Sequence, residues 1–337
     1  LAAALVLEQF KIFGLDHIVA LRIPFYLNLN LVTGIGALVF NPVELLIVVM
    51  VLVWFLRAVT SREWHLRPLP GGWVTLLFGV TMTAFVAYGL ARGGVVTVAL
   101  WEVRALYYLL AMFFIASQVL RSRRQVEVCL WIIAAGLAVK GLQGCWRFFV
   151  DLGGSLDGIP AITGHEDALF LMTGFILLLA YALQGVRDRL FLLLAAAFPP
   201  CFFTFIVTQR RVAYGTLFFS SLITVAFLPR RARLLALKCA IPLAVVGLVY
   251  TGVFWNSSSS LALPIQPVKS IFAEGREEDT SNTYRDVENF NLKQTIRRFP
   301  GGVGFGRKYL IIMPLAEVDF PLWDYIPHNC IYWIWAK

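Results

Sequence analysis

The run Leu190-Phe-Leu-Leu-Leu-Ala-Ala-Ala-Phe-Pro-Pro-Cys-Phe-Phe-Thr-Phe-Ile-Val-Thr-Gln-Arg-Arg211 decides the fold. Residues 190–208 carry no charge and, as a helix, are long enough to cross the roughly 30 Å hydrocarbon core of a bilayer. Two adjacent arginines stop the run, and a second apolar run, 212–228, begins at once. Arginine is expensive in hydrocarbon, so a pair held in so short a turn calls for a partner, most simply an anion.

The same pattern extends outward. Apolar spans near 42–57, 73–91, 101–120, 126–150, 168–186, 190–208, 212–228 and 234–254 are separated by short loops. Residues 1–39 hold one or two more apolar segments, broken by Glu8, Lys11, Asp16 and Arg22, and a further span begins near His328. The composition agrees, with 15% charged residues against roughly 25% in soluble domains and a mean hydropathy of +0.75. The runs are continuous rather than alternating with period two, which argues against a β-barrel. The expected fold is an all-α, polytopic integral membrane helical bundle with about 10 spans visible. The chain opens inside an apolar run and stops inside another, Ile331-Tyr-Trp-Ile-Trp335, so both ends read as truncated.

Charge gives sidedness. Basic loops at Arg57/Arg62/Arg67, Arg121/Arg123/Arg124, Arg187/Arg189 and Arg230/Arg231/Arg233 fall at every second position, which places them in the cytoplasm. The Arg210-Arg211 turn then lies on the outer side, against the usual bias. The net charge of +9 is mostly this topological signal, so nucleic acid is not an expected partner. The expected organisation is a transmembrane region over 1–254, a large outer loop over 255–327, and the start of a further span over 328–337.

Within the outer loop, 256–270 reads as polar and flexible. Residues 282–298 read as a helix capped by Ser281 or Asn282, with a weak apolar face of Tyr284, Val287, Phe290 or Asn291, Gln294 and Ile296 or Arg298. Pro300-Gly-Gly-Val-Gly-Phe-Gly306 ends it in a turn suited to close backbone approach. That turn follows a helix and lacks GK[ST], so it is not a nucleotide-binding loop. The loop holds eight Lys/Arg against nine Asp/Glu, so anion binding there rests on specific side chains, not on bulk charge.

Cys129, Cys145, Cys201, Cys239 and Cys330 show no CxxC spacing and read as small buried hydrophobes. His165-Glu166-Asp167 reads as a polar helix start, and neither a metal nor a cofactor is expected. Arg210, Arg211, Arg285 and His328 are the residues that suit chemistry on the outer side. Arginine forks suit phosphate oxygens, and histidine takes a proton near neutral pH. The combination fits transfer of a group from a diphosphate carrier. Arg147, near the outer end of the 126–150 span, is assigned to the same cavity. Trp255, Trp323, Tyr325 and Trp333 read as interface anchors.

These residues also carry a family resemblance. Thr208-Gln-Arg-Arg-Val-Ala213 looks like the Thr-x-Ser-Arg-Gly-Ala turn of bacterial O-antigen ligases and the related O-antigen polymerases. The loop stretch from Arg285 to Pro300-Gly-Gly-Val-Gly-Phe-Gly306 is similar to their arginine-bearing helix and Pro-x-x-Gly-x-Gly turn. Pro327-His328-Asn329 is similar to their His-Asn pair. Motifs cover residues 160–337, and earlier spans match by layout. Arg210 and Val212 depart from the Ser and Gly of the family turn, which leaves open which arginine holds phosphate.

The resemblance implies a helical membrane glycosyltransferase of about 12 spans in the bacterial inner membrane, acting without a metal at the periplasmic face. Its donor would be an undecaprenyl-diphosphate-linked glycan, and its acceptor either lipid A core (a ligase) or a second lipid-linked glycan (a polymerase). His328, Arg211 and Arg285 would be catalytic. Arg210, Arg211, Arg285, Arg147, Asn329 and Tyr284 would bind the diphosphate and glycan. A transporter of lipid-linked anionic substrates is the alternative from another class, resting mainly on the buried basic residues Lys140 and Arg147.

Overall fold

The structure, a computed structural model, describes residues 28–35, 40–60, 69, 71–156, 162–257, 259–272, 280–316 and 322–337. The described residues form helices, turns and irregular segments, with no strand. After a single turn at Leu29–Thr33 come α1 (Pro42–Thr60), α2 (Gly72–Ala91), α3 (Val96–Val119) and α4 (Arg123–Trp146). A π-helical turn, Arg147–Asp151, continues α4. Next are α5 (His165–Gln184), α6 (Arg189–Val207), α7 (Arg211–Phe227) and α8 (Arg230–Phe254). The loop region contributes α9 (Gln266–Phe272) and α10 (Thr280–Arg298), and α11 (Cys330–Ala336) follows.

Seven of these helices, α1 to α6 and α8, are long and apolar enough to cross a membrane. The eighth apolar run, α7, is 17 residues long and falls short of that length. Long apolar side chains such as Leu243, Leu248 and Phe219 are exposed along α7 and α8, as lipid-facing surfaces require. The chain is a multi-pass membrane protein. The expected segments within 1–27 lie outside the described residues.

Packing groups the chain differently from the linear partition at 254 and 327. One compact unit joins Leu1–Leu46 with Ser122–Ala273, and the other joins Ile47–Arg121 with Glu274–Lys337.

In the first unit, α4 and α6 touch through small residues. A Cβ on Gly144 would sit 2.2 Å from Thr204 Cγ2, and one on Gly141 would sit 2.8 Å from the Cys201 nitrogen. The closeness lets Thr204 donate across to the Gly141 carbonyl at 2.9 Å and Cys201 Sγ to Leu137 at 3.1 Å. Such small-residue seams associate helices in lipid, where apolar packing alone has little driving force. Leu137, Leu171, Phe175, Leu194 and Phe205 fill the core beside this seam. Cys201 behaves as the buried hydrophobe expected. Cys129 and Cys145 are half-buried, and Cys239 and Cys330 are instead exposed.

In the second unit the glycine-rich turn lies against α2. A Cβ on Gly304 would fall 2.3 Å from Gly89 Cα, so both positions must lack one. Gly302, Gly304 and Gly306 all have positive φ (79°, 84° and 81°), which L side chains rarely adopt. Glu102 on α3 accepts from the Gly306 nitrogen at 2.5 Å and pairs with Lys337 Nζ at 2.6 Å, all out of contact with solvent. Phe305 and Trp333 stack edge to face beside Met82, Ala99 and Val103.

Two expectations about the loop are corrected. Residues 259–272 hold a 3₁₀ turn, Ser260–Ala262, and the helix α9, with Ala262 and Ile265 buried. Two apolar anchors thus override the polar composition. Of the expected face of α10, Asn291 is buried, Tyr284, Val287, Gln294 and Ile296 are half-buried, and Phe290 and Arg298 are exposed; the fully buried residues are Glu288, Asn291, Leu292 and Thr295, mostly polar. That face packs against irregular backbone that needs hydrogen-bond partners. Asn291 Oδ1 accepts from Ile312 and Met313 nitrogens at 2.9 Å each, and Thr295 Oγ1 accepts from Leu310 at 2.9 Å.

Candidate functional site

In the first unit, the polar groups gather where α4, α6 and α7 end. Gln209, with φ of 54°, reverses the chain between α6 and α7 and lodges its amide against the Ile206 and Leu263 carbonyls at 2.7 and 2.9 Å. Arg210 is the residue preceding the first turn of α7, and Arg211 is its first residue; both are half-buried. The positive end of the helix dipole lies there, so two guanidiniums add to a field already favourable to anions.

Arg147, 2% exposed, stands at the junction of α4 with the π-helical turn and donates to the Ile162 carbonyl at 2.9 Å. Next to Ile162, Thr163 pairs with Thr208 at 2.8 Å, linking the Arg147 loop to the arginine turn. The structure therefore brings Arg147 and the Arg210-Arg211 turn to one end of this unit. A cavity of about 550 Å³ lined by Arg123, Glu127, Trp131, Tyr181, Asp188 and Arg189 lies at the opposite helix ends and is separate from this cluster.

Lys140, seven residues before Arg147 on α4, pairs with Asp167 at 3.0 Å. Asp167 also accepts from the Gly164 nitrogen at 3.3 Å, and Glu166 and Asp167 occupy the first turn of α5. His165-Glu166-Asp167 is thus a helix start whose third residue answers the buried lysine.

In the second unit, α10 presents Tyr284, Arg285 and Glu288 beside the turn that leads into α11. His328 is half-exposed, its side chain at 53%, and is held from behind by Glu288, whose side chain is 1% exposed. One carboxylate oxygen accepts from the His328 backbone nitrogen at 2.9 Å and the other lies 3.1 Å from Nδ1. The Tyr284 ring meets the imidazole edge to face at 5.6 Å. Asn329 caps α11 by accepting from the Tyr332 nitrogen at 3.2 Å and donates to Asn289 at 2.9 Å. Arg285 is exposed on the same helix.

Burial, with Glu288 and Asp324 nearby, raises the Tyr284 phenol above its ordinary range, so it is a neutral group at physiological pH. Tyr309 is raised for the same first reason. Lys308, hydrogen-bonded to Asp324, is held above the usual lysine range.

Of the residues singled out from sequence, Tyr284, Arg285, His328 and Asn329 share one unit, and Arg147, Arg210 and Arg211 share the other. Sequence reading missed Glu288, Asn289, Thr163 and Asp324. Only Glu288 left a signal: it lies four residues after Tyr284, on the helix face that turns inward.

Comparison with family models, with curated proteins and with solved structures gave no match to this chain.

Proposed function

We propose that the chain is an O-antigen-ligase-like glycosyltransferase of the bacterial inner membrane. It moves a glycan from undecaprenyl diphosphate to a hydroxyl acceptor, lipid A core, at the periplasmic face. The observation that carries the reading is His328, a half-exposed imidazole backed by a buried carboxylate on the helix that bears Arg285.

In the proposed step the acceptor hydroxyl attacks the anomeric carbon and its proton passes to the His328 imidazole. The anomeric C–O bond to phosphate breaks, and the electron pair leaves with the diphosphate. Arginine neutralises the charge that develops on the leaving group, and the candidates for that role are Arg285 in the unit of His328 and Arg211, Arg210 and Arg147 in the other unit. Attack opposite the leaving group inverts the anomeric centre. No step needs a metal or cofactor, because guanidiniums supply the positive charge. The Lys140–Asp167 pair supplies a structural role for the buried lysine that would otherwise favour a transporter.

The test is transfer in proteoliposomes containing the purified chain, a polyprenyl-diphosphate-linked glycan and both candidate acceptors, with Arg211→Ala as control. Glycan on lipid A core supports a ligase. Longer glycan still on the polyprenyl carrier makes the enzyme a polymerase with the same site. Donor bound through Arg211 and moved across the bilayer without transfer replaces the reading with a transporter.

A further inference from the structure

Glu288 is the least exposed acidic side chain near the proposed site, and both of its oxygens face the same residue. Oε2 accepts from the His328 backbone nitrogen and Oε1 lies 3.1 Å from His328 Nδ1. At 1% exposure the carboxylate is out of reach of a substrate. A buried charge persists only where it is paired and hydrogen-bonded, and here His328 supplies both bonds.

We infer that Glu288 is a positioning residue that fixes His328 as the Nδ1–H tautomer and leaves Nε2 as the proton-accepting atom. The inference deepens the glycosyltransferase reading and rests on it for the identity of the proton donor.

The argument is one of donors and acceptors. The backbone nitrogen is an obligate donor, so one carboxylate oxygen is committed to it. The other oxygen, an acceptor only, demands N–H from Nδ1. A neutral imidazole has one N–H, so the lone pair sits on Nε2, on the half-exposed side of the ring. When Nε2 takes the acceptor's proton, the imidazolium that forms lies against the Glu288 charge. The ring meets Tyr284 and Glu288 from α10, and Asp324, with its partner Lys308, and Tyr309 lie near those two groups. Tyr284 and Tyr309 remain neutral phenols below their raised pKa values, so the Glu288 carboxylate is the charge in direct contact with the ring.

Glu288→Gln makes a sharp prediction. The glutamine carbonyl must turn to the backbone N–H, which leaves its NH₂ facing Nδ1. The lone pair then moves to Nδ1 and the proton to Nε2, closing the base. The full chain, labelled with ¹⁵N-histidine in nanodiscs, is read by solid-state NMR, and a His328→Asn difference spectrum assigns the signal among four histidines. Wild type is expected to show protonated Nδ1 and unprotonated Nε2, and Glu288→Gln the reverse. Transfer by Glu288→Gln is expected to fall about 100-fold or more in kcat, within the range of general-base contributions, with donor KM little changed. Glu288→Asp keeps the carboxylate and is expected to restore the Nδ1–H tautomer in part.

A wild-type Nε2–H tautomer, or a tautomer unchanged in Glu288→Gln, overturns the positioning role. The expected tautomers without transfer by the wild-type chain overturn the glycosyltransferase reading and leave the tautomer assignment standing.

Discussion

Lys140 Nζ sits 3.0 Å from Asp167 Oδ1, with the lysine side chain 2% exposed, so a cation in the middle of an apolar helix is answered by the first turn of the next one. Removing one partner of a buried pair strands the other charge. Asp167→Asn is expected to destabilise the protein by about 3–5 kcal/mol. Lys140→Met with Asp167→Leu is expected to recover most of that loss, because both charges go together. Thermal unfolding in detergent measures both; a double variant no better than the single one contradicts the pairing.

Gly304 and Gly89 meet backbone to backbone. Gly304→Ala would place a Cβ 2.3 Å from Gly89 Cα at a φ of 84°. Left-handed backbone and overpacking together predict a loss of roughly 2–5 kcal/mol. Gly247→Ala on α8, with nothing within 4 Å, is expected to leave stability unchanged.

Arginine chemistry separates the candidate phosphate ligands. Arg211→Ala and Arg285→Ala are each expected to lower transfer by about 10²–10³-fold, the scale of a lost charge-stabilising group. Arg211→Lys retains part of the activity, since lysine keeps the charge and lacks the fork. Arg210→Ala, assayed beside them, assigns the phosphate contact within the pair. Wild-type turnover in both Arg211→Ala and Arg285→Ala removes the diphosphate clamp.

His328→Ala is expected to slow transfer by about 10²–10⁴-fold while donor binding is preserved. Equilibrium donor binding to the purified variant is the deciding measurement, and its loss assigns His328 to binding instead of proton transfer.

Alkaline pH acts on the second unit. Tyr284 and Tyr309 have phenols raised by burial, and Lys308 is raised by its hydrogen bond to Asp324. Unfolded tyrosine and lysine lose their protons near pH 10, while the folded groups keep them. Their contribution is therefore complete below about pH 10 and is lost as pH rises toward the folded values. Tyr309→Phe is expected to reduce this alkaline loss of stability, followed by phenolate absorbance and circular dichroism on the same titration. An identical alkaline profile in that variant rules out Tyr309 as the source.

The membrane helices were legible because lipid imposes one rule, that backbone polar groups be satisfied within the segment, and an uncharged run such as 190–208 obeys it locally. The close-approach role of Pro300–Gly306 was legible for a similar reason: repeated glycine permits positive φ wherever it occurs. The inward face of α10 was read only in part: Asn291 was among the expected residues, whereas Glu288, Leu292 and Thr295 were not. Burial of Asn291 and Thr295 follows from unpaired amides at Leu310, Ile312 and Met313, which are distant in sequence and carry no pattern on the helix itself. Glu288 was overlooked although it shares a helix face with Tyr284, because its partner His328 is 40 residues away.

By itself, then, the sequence determined a multi-pass helical membrane protein and its main helices. Hydropathy and side-chain chemistry are properties of local segments and survive reading in one dimension. Tertiary structure alone decided that Asp167 answers Lys140, that Thr163 ties Arg147's loop to the arginine turn, and that Glu288 grips His328 from behind. Those are pairings of specific donors and acceptors across space, and only the packed chain fixes which groups meet.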